Sequence, residues 1–371
     1  MRIAIDVMGG DDAPDAILDG CLEAVEGLDE GHTLVLIGDE PIIREGMQEA
    51  GLTNHPAIEV VHTTEVIEMA DPPVSALRSK TDSSIVKWSQ LGGRRAGPEK
   101  CDVIISAGNT GACVAAAQMS MRRLPGVHRP GIAITLPTFH GPVVMCDVGA
   151  NPEPRPTHLH QYAHMASVFA EQLIGIDNPK IALLSIGGEE GKGNTLTRQS
   201  HALLKADESA NYFGYIEGRE LFEGKANVVV CEGFTGNVVL KLAEGLSKGI
   251  FEMIAHEVLE IDPELAMRFE PVVKSIYAKH DYHEYGGAPL LGANGICKIC
   301  HGSSQAKTIA NAIRKAVNYA EHDVNSAIIE RLASAEAALK AARAEGRLNL
   351  DADAPALATP TAPPAPAGGP A

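Results

Sequence analysis

The 371-residue chain has no apolar run approaching the roughly 18–20 residues that span a bilayer, so a membrane-spanning protein is not expected. Its first residues, MRIAIDVMGGDD, pass from a short strand-like run straight into glycines and acids. The long apolar stretch and small-residue cleavage site of a secretory leader are missing, which leads us to expect a cytoplasmic protein. Cysteine is sparse and irregular, with seven residues at no regular spacing. An odd, unpatterned set fits free, mostly buried thiols in a reducing compartment better than a disulfide framework. Positive charge is also in deficit: 31 Lys and Arg face 48 Asp and Glu, a formal net charge of −17. A field of that sign repels nucleic acid and anionic membrane in bulk, so no nucleic-acid partner is expected. An anionic substrate must be met by local cations or backbone N–H groups.

Several catalytic signatures are missing. There is no G-x-S-x-G, and no His/Cys/Glu cluster with zinc spacing is apparent. The first glycine turn lacks G-x-G-x-x-G, which weakens a dinucleotide reading. GGEEGKGN (187–194) fails as a phosphate loop of the G-x-x-x-x-G-K-[ST] type twice. Ile186 stands where the first glycine belongs, and Gly193 replaces the hydroxyl residue that would hold Mg²⁺. Cys297, Cys300 and His301 in GICKICHGSS (295–304) do have the C-x-x-C-H spacing of c-type haem attachment. Covalent haem is normally assembled after export, so the cytoplasmic setting expected here argues against that reading. No metal and no cofactor are expected.

What is present is an alternation of buried-strand and helix patterns. RIAIDV (2–7), TLVLIG (33–38), AIEVVH (57–62), DVIISA (102–107), GIAITL (131–136), VVMCDV (143–148), IALLSI (181–186) and ANVVVC (226–231) are apolar on both faces. Most have a helical pattern behind them, as Ile17, Cys21, Leu22 and Val25 show after the first. This implies an α/β protein with a largely parallel sheet covered by helices, its ligand at the carboxyl ends of the strands. Two segments break the alternation: Leu242, Leu246, Ile250, Met253 and Ile254, then Leu265, Phe269, Val272, Val273 and Ile276 after Pro263, recur at helical spacing. They read as a helical hairpin (235–285) projecting from a domain of residues 1–349. Residues 350–371, rich in Pro and Ala, read as a disordered tail.

The turns after the strands are alike: DVMGGDD (6–12), SAGNTGA (106–112), DVGANPEP (147–154), SIGGEEGKGN (185–194), EGFTGN (232–237), EYGGAPLLG (284–292) and CHGSS (300–304). Gly and Asn suit any tight turn, but seven such turns expected at one sheet edge suggest a phosphate cradle. Glycine lets N–H groups approach an anion, and Asn, Ser and Thr add donors without net charge. The candidate contacts are Asp6, Gly9, Gly10, Gly108, Asn109, Thr110, Asn151, Asn194, His301, Ser303 and Ser304.

With MGGD, SAGNTGA, LPT (136–138), DVGAN, KGN, GFTGN, YGGA and HGSS in this order, the chain resembles the phosphate acyltransferases of bacterial phospholipid synthesis (the PlsX family). GGRRAGPEK before Cys101 and the Pro-Ala tail depart from the family pattern without touching a motif. The resemblance implies a three-layer α/β/α fold like that of isocitrate and isopropylmalate dehydrogenases, and a homodimer peripherally associated with the inner face of the cell membrane. It implies transfer of a fatty acyl group from acyl-carrier protein to inorganic phosphate, giving acyl phosphate for a membrane glycerol-phosphate acyltransferase. It also points to Lys192 and Asn237 as the residues on which the chemistry most depends. It makes Cys297 and Cys300 apolar strand positions, with His301 directed at the site. At this level Lys192 can equally be a solvated loop lysine, and His301 can orient phosphate, carry a proton or cap a turn. A catalytically silent scaffold on the same fold would bind acyl-carrier protein without phosphate-dependent chemistry. Because acyl-carrier protein is acidic, docking requires a local basic patch, for which Lys241, Lys248, Arg268, Lys274, Lys279, Arg122 and Arg123 are candidates.

Overall fold

The computed structural model describes residues 1–280 and 286–348. The first half of the chain alternates β1 (Arg2–Asp6), α1 (Asp15–Val25), β2 (Thr33–Gly38), α2 (Glu40–Glu49), β3 (Ile58–His62), α3 (Pro73–Ser79), α4 (Ser84–Gly92), β4 (Val103–Ser106) and α5 (Thr110–Ser120). The middle contributes β5 (Gly131–Leu136), β6 (Val143–Cys146), α6 (Pro156–Phe169), β7 (Ile181–Leu184), α7 (Thr195–Ala206), β8 (Tyr212–Ile216) and β9 (Val228–Val230). Two long helices, α8 (Gly233–Ile261) and α9 (Pro263–His280), precede β10 (Ala288–Leu291), β11 (Ile296–Ile299), α10 (Ala306–Glu321) and α11 (Val324–Ala344).

All the strands join one 11-stranded sheet in the order β3-β2-β1-β4-β11-β10-β5-β6-β9-β7-β8. Its strands bury side chains on both faces. In β1, Ile3 and Ile5 pack with α1 and α10, while Ala4 faces the opposite layer with Trp88 and the helices α4 and α5. In β6, Val144 and Cys146 pack beneath α6 and α11, and Val143 and Met145 face the other way. Alternation with no polar face produces three layers, and each fully buried Ile or Leu contributes roughly 1.5–3 kcal/mol to holding them together. All seven cysteines are free and buried, consistent with thiols used as core.

The sheet is largely parallel, as expected, but its direction reverses in the middle. The pairings β11–β10, β10–β5 and β5–β6 are antiparallel and all others are parallel. It is therefore two parallel blocks running in opposite senses. The turns after β1, β4 and β11 leave one edge, and those after β6, β7 and β9 leave the other. The expectation of a single edge for all seven turns is corrected by this reversal.

The two helices of the hairpin pattern are present, and they pack chiefly on each other. Their apolar residues divide in a way the spacing did not reveal. Phe269 and Val273 are half-buried, whereas Leu259, Ile261, Leu265, Met267 and Ile276 are exposed. The tail from 350 onward lies outside the described residues.

Candidate active site

A cavity of about 400 Å³ lies where the two blocks meet. From the first edge it receives Asp11, Thr110 and Gly111 at the start of α5, Gly287 before β10, and His301, Gly302 and Ser304 after β11. From the second it receives Gly149 after β6 and Asn237, Leu240, Lys241 and Glu244 on α8. Ile132 and Ile134 of β5, with Val148 and Ile299, give it an apolar wall. One end is thus polar and the rest oily.

The sequence explains the local geometry. Asn109 caps α5, its side-chain oxygen accepting from the Ala112 N–H at 3.1 Å, while its amide donates to the carbonyls of Met69 and Asp71 at 3.1 and 3.0 Å. The capped helix places Thr110 and Gly111 at the cavity, where an N-terminal dipole favours an anion. Behind it, Asp6 is fully buried and accepts from Ser106 Oγ at 2.7 Å, and burial raises its carboxyl above the ordinary range. A Cβ on Gly9 would lie 2.3 Å from Asp6 Oδ2 and 2.8 Å from the Gly108 nitrogen, so only glycine lets these two turns touch. Gly10 lies against Gly302 across the same contact.

On the far side, Asp147 accepts from the N–H groups of Ile132, Ala150 and Asn151 at 2.9, 3.2 and 2.7 Å. Burial still pushes its carboxyl up to about 6. Asn151 is itself buried, donating to the Pro130 carbonyl at 2.7 Å. A Cβ on Gly236 would fall 2.0 Å from the Asp147 carbonyl oxygen, and this close approach seats Asn237 within 3.9 Å of a Cβ position on Gly149. The first turn of α8 is already capped by an acid. Glu232 accepts from Phe234 N at 2.6 Å and Thr235 N at 3.0 Å. The cradle expected from EGFTGN is therefore occupied internally, and what reaches the cavity is the Asn237 side chain one turn on.

Lys241 Nζ lies 3.0 Å from His301 Nε2, and His301 Nδ1 lies 2.8 Å from Ser303 Oγ. The Ser303 N–H donates to Nδ1 at 3.2 Å, so the turn after β11 holds the ring beside Lys241. Glu244, one turn further along α8, has its carboxyl raised by burial against the opposing pull of His301 and Lys241. Ser304 Oγ is buried at the cavity and has no hydrogen-bond partner among the described residues, a polar atom left to meet a ligand.

Of the candidate residues, Thr110, Asn237, His301 and Ser304 line the cavity. Asp6, Gly9, Gly10, Gly108, Asn109, Asn151 and Ser303 build its supports. Lys192 and Asn194 stand apart. Asn194 caps α7, accepting from Thr197 N at 2.9 Å, and Lys192 is exposed on the loop after β7, on the second edge. Lys241, which sequence reasoning placed in a docking patch, is a cavity residue. Its signal was helical spacing, since 237, 241 and 244 share one face of a helix. Of the other patch candidates, Lys274 pairs with Glu270 at 2.7 Å, and the side chains of Lys248 and Lys279 lie outside the described residues.

No zinc-like cluster is expected from the sequence, yet among the described residues one metal-capable group comes together. His160 and His164, four apart on α6, converge on Asp207, which follows α7. Both Nε2 atoms donate to Asp207 Oδ2, at 2.7 and 2.8 Å, and Ser209 donates N–H and Oγ to Oδ1 at 2.9 and 2.6 Å. The carboxylate is fully served by these donors, so the group works as a clamp between α6 and the end of α7 without any ion. Burial opposes the charge on Asp207, but the two imidazoles and Ser209 outweigh it and hold the carboxyl well below its usual range. Burial lowers His164. Unfolded His164 takes up a proton near pH 6.5 and folded His164 resists it, so stability falls as pH drops below that value. The Asp207 contribution is present above the ordinary aspartate pKa of about 4 and is lost as pH falls further. Asp207→Asn turns an amide toward two N–H donors and should cost roughly 3 kcal/mol. Denaturant midpoints between pH 4 and 8 check both, and an Asp207→Asn midpoint equal to wild type would refute the clamp.

Fold and site together define a three-layer α/β protein with one partly polar, partly apolar cavity where its two sheet blocks meet. The chain covers 88% of itself and 94% of a phosphotransacetylase from Streptococcus pyogenes, with a TM-score of 0.55 at 16% identity. A branched-chain phosphotransacylase from Enterococcus faecalis superposes with a TM-score of 0.51 at 14% identity, covering 86% of this chain and 98% of that one. These likenesses establish the fold. A family model described as fatty acid synthesis protein matches residues 1–327. A phosphate acyltransferase of Dictyoglomus turgidum is 42% identical over 335 residues, 90% of this chain and 98% of the relative. One of Desulforamulus reducens is 44% identical over 336 residues, 90% and 97% of the two chains. The chain belongs to the phosphate acyltransferase family of fatty acid and phospholipid synthesis, and it is an acyltransferase.

Proposed function

We propose that the enzyme transfers a fatty acyl group from the thioester of acyl-carrier protein to inorganic phosphate. A phosphate oxygen attacks the thioester carbonyl, the tetrahedral oxyanion collapses, the C–S bond breaks, and acyl phosphate and the carrier thiol leave. The observation that carries this reading is the cavity itself, where the α5 N-terminus, Asn237 and the Lys241–His301 pair face an apolar wall. Phosphate sits at the α5 N-terminus with Ser304, and the acyl chain lies on Ile132, Ile134 and Val148. Asn237 and a lysine ammonium stabilise the oxyanion as charge develops on it. The thiolate is weakly basic and needs little help to leave. Purified enzyme with acyl-carrier-protein thioester, in chelator and without nucleotide, should release the carrier thiol only when phosphate is present, one acyl phosphate forming per thiol. Binding of the carrier without phosphate-dependent thiol release would replace this reading with the silent scaffold.

The same reading makes the enzyme a cytoplasmic homodimer that supplies a membrane glycerol-phosphate acyltransferase. No described helix is long and apolar enough to cross a membrane. The exposed stripe Leu242, Leu246, Ile250 and Met253 on α8 suits a second copy, and the tip residues Leu259, Ile261 and Met267 suit a bilayer surface. Because the chain is acidic, this contact is apolar rather than electrostatic. Ile261→Glu with Met267→Glu should abolish flotation with liposomes while leaving turnover on soluble substrate unchanged. Undiminished flotation would move the contact elsewhere.

A further inference from the structure

A second cavity of about 210 Å³ lies on the α10 side of the sheet, sharing Thr135 and Gly287 with the catalytic cavity. Lys298 of β11 is 4% exposed and lines it, an unusual place for an ammonium. Its Nζ has a contact of only 3.5 Å to the Ala312 carbonyl, the outer limit of a hydrogen bond. Lys315, exposed on α10, stands at the mouth, and Asn318 adds an amide. Among the described residues no carboxylate lines this cavity, although the chain carries a net charge of −17. Neither lysine has an ion-pair partner among the described residues. Burial pushes Lys298 down to about 8 against an opposing pull from Cys300, and the charge of Lys315 adds a smaller push in the same direction as burial. The remaining walls are Ala133, Phe169, Leu173, Ile174, Pro289 and Tyr319.

We propose that this cavity binds an aliphatic monocarboxylate, its head between Lys298 and Lys315 and its chain against Phe169, Leu173 and Ile174. A buried ammonium with no anion is costly, and an anion between the two lysines relieves both desolvation and mutual repulsion. A singly charged head leaves little excess charge to bury, and the apolar walls call for a chain that inorganic phosphate lacks. The site rests on this cavity alone and not on the acyl-transfer reading. It does reach the catalytic cavity through β11, because Ile299, next to Lys298 and on the alternate face of that strand, lines the other side.

Calorimetric titration of the full-length chain with octanoate tests it. One equivalent should bind per chain, and Lys298→Met should weaken binding about tenfold or more. Lys298→Met removes a buried charge and should fold at least as stably as wild type, which a melting curve checks. If it does not fold, Lys315→Gln at the exposed mouth should still weaken binding several-fold. Octanol, without charge, and phosphate, without a chain, should bind more weakly than octanoate. Affinity should fall as pH rises through about 8, where Lys298 loses its proton. Equal affinity in Lys298→Met, octanol binding as tight as octanoate, or binding lost in Lys241→Met but kept in Lys298→Met would each overturn the proposal. The last result would place the carboxylate in the catalytic cavity.

Discussion

Replacing Asn237 by alanine is expected to lower turnover roughly 10²–10³-fold while the protein keeps its fold. The residue sits one turn into α8, half-buried, and its amide faces the catalytic cavity across Gly149. Helix formation does not depend on it, because Glu232 already caps this helix. What alanine removes is a neutral donor aimed at a place where charge develops only as phosphate attacks. Substrate binding should change little, so the loss should fall on kcat rather than KM. Asn237→Asp should be no better, since it presents an anion to an anion. Steady-state rates beside circular dichroism spectra decide the matter, and a variant within a few-fold of wild type would exclude Asn237 from the oxyanion site.

The strands were legible because burial on both sheet faces forces continuous apolar runs, and RIAIDV and VVMCDV cannot be anything solvated. Three strands escaped this pattern, β11 being anticipated only through the resemblance that made Cys297 and Cys300 strand positions. β8 is YFGYI, interrupted by a glycine, and β10 lies inside GGAPLLG, where Gly and Pro signal a turn more strongly than four residues signal a strand. The reversal of the sheet escaped with β10, because its antiparallel partner β5 lies far earlier in the chain and no local pattern encodes that pairing. Asn109 and Asn194 show a different limit. A side chain that caps a helix and one that binds phosphate are both short, polar and found at the same turn, so the residue type cannot separate them. His160, His164 and Asp207 meet only in three dimensions, with the carboxylate arriving from another element. The register of α8 was available: Asn237 and Lys241 are four apart, and a helix starting at GFTGN carries both to one face.

Two lysines now compete for the charge of the transition state, and their substitution separates them. Lys241 is inside the cavity, hydrogen-bonded to His301. Lys192 lies outside it on a loop whose residues Gly191 and Gly193 both have positive φ, 87° and 86°. Its ammonium has no ion-pair partner among the described residues, although Glu190 of the same loop takes Lys205. A lysine without an ion pair, at the edge to which β6 and β9 also deliver their turns, remains the candidate to which the family resemblance points. We therefore expect Lys192→Ala to lower kcat roughly 10²–10³-fold without loss of stability, since the side chain is exposed. Lys192→Arg should not rescue it, because a planar fork cannot replace a compact ammonium between glycines. If Lys192 and Asn237 serve the same oxygen, the double variant should be less impaired than the product of the single effects. Lys241→Met supplies the opposite arm. Near-wild-type turnover in Lys192→Ala, together with collapse in Lys241→Met, would transfer the charge-stabilising role to the lysine on α8 and leave the loop after β7 outside the chemistry.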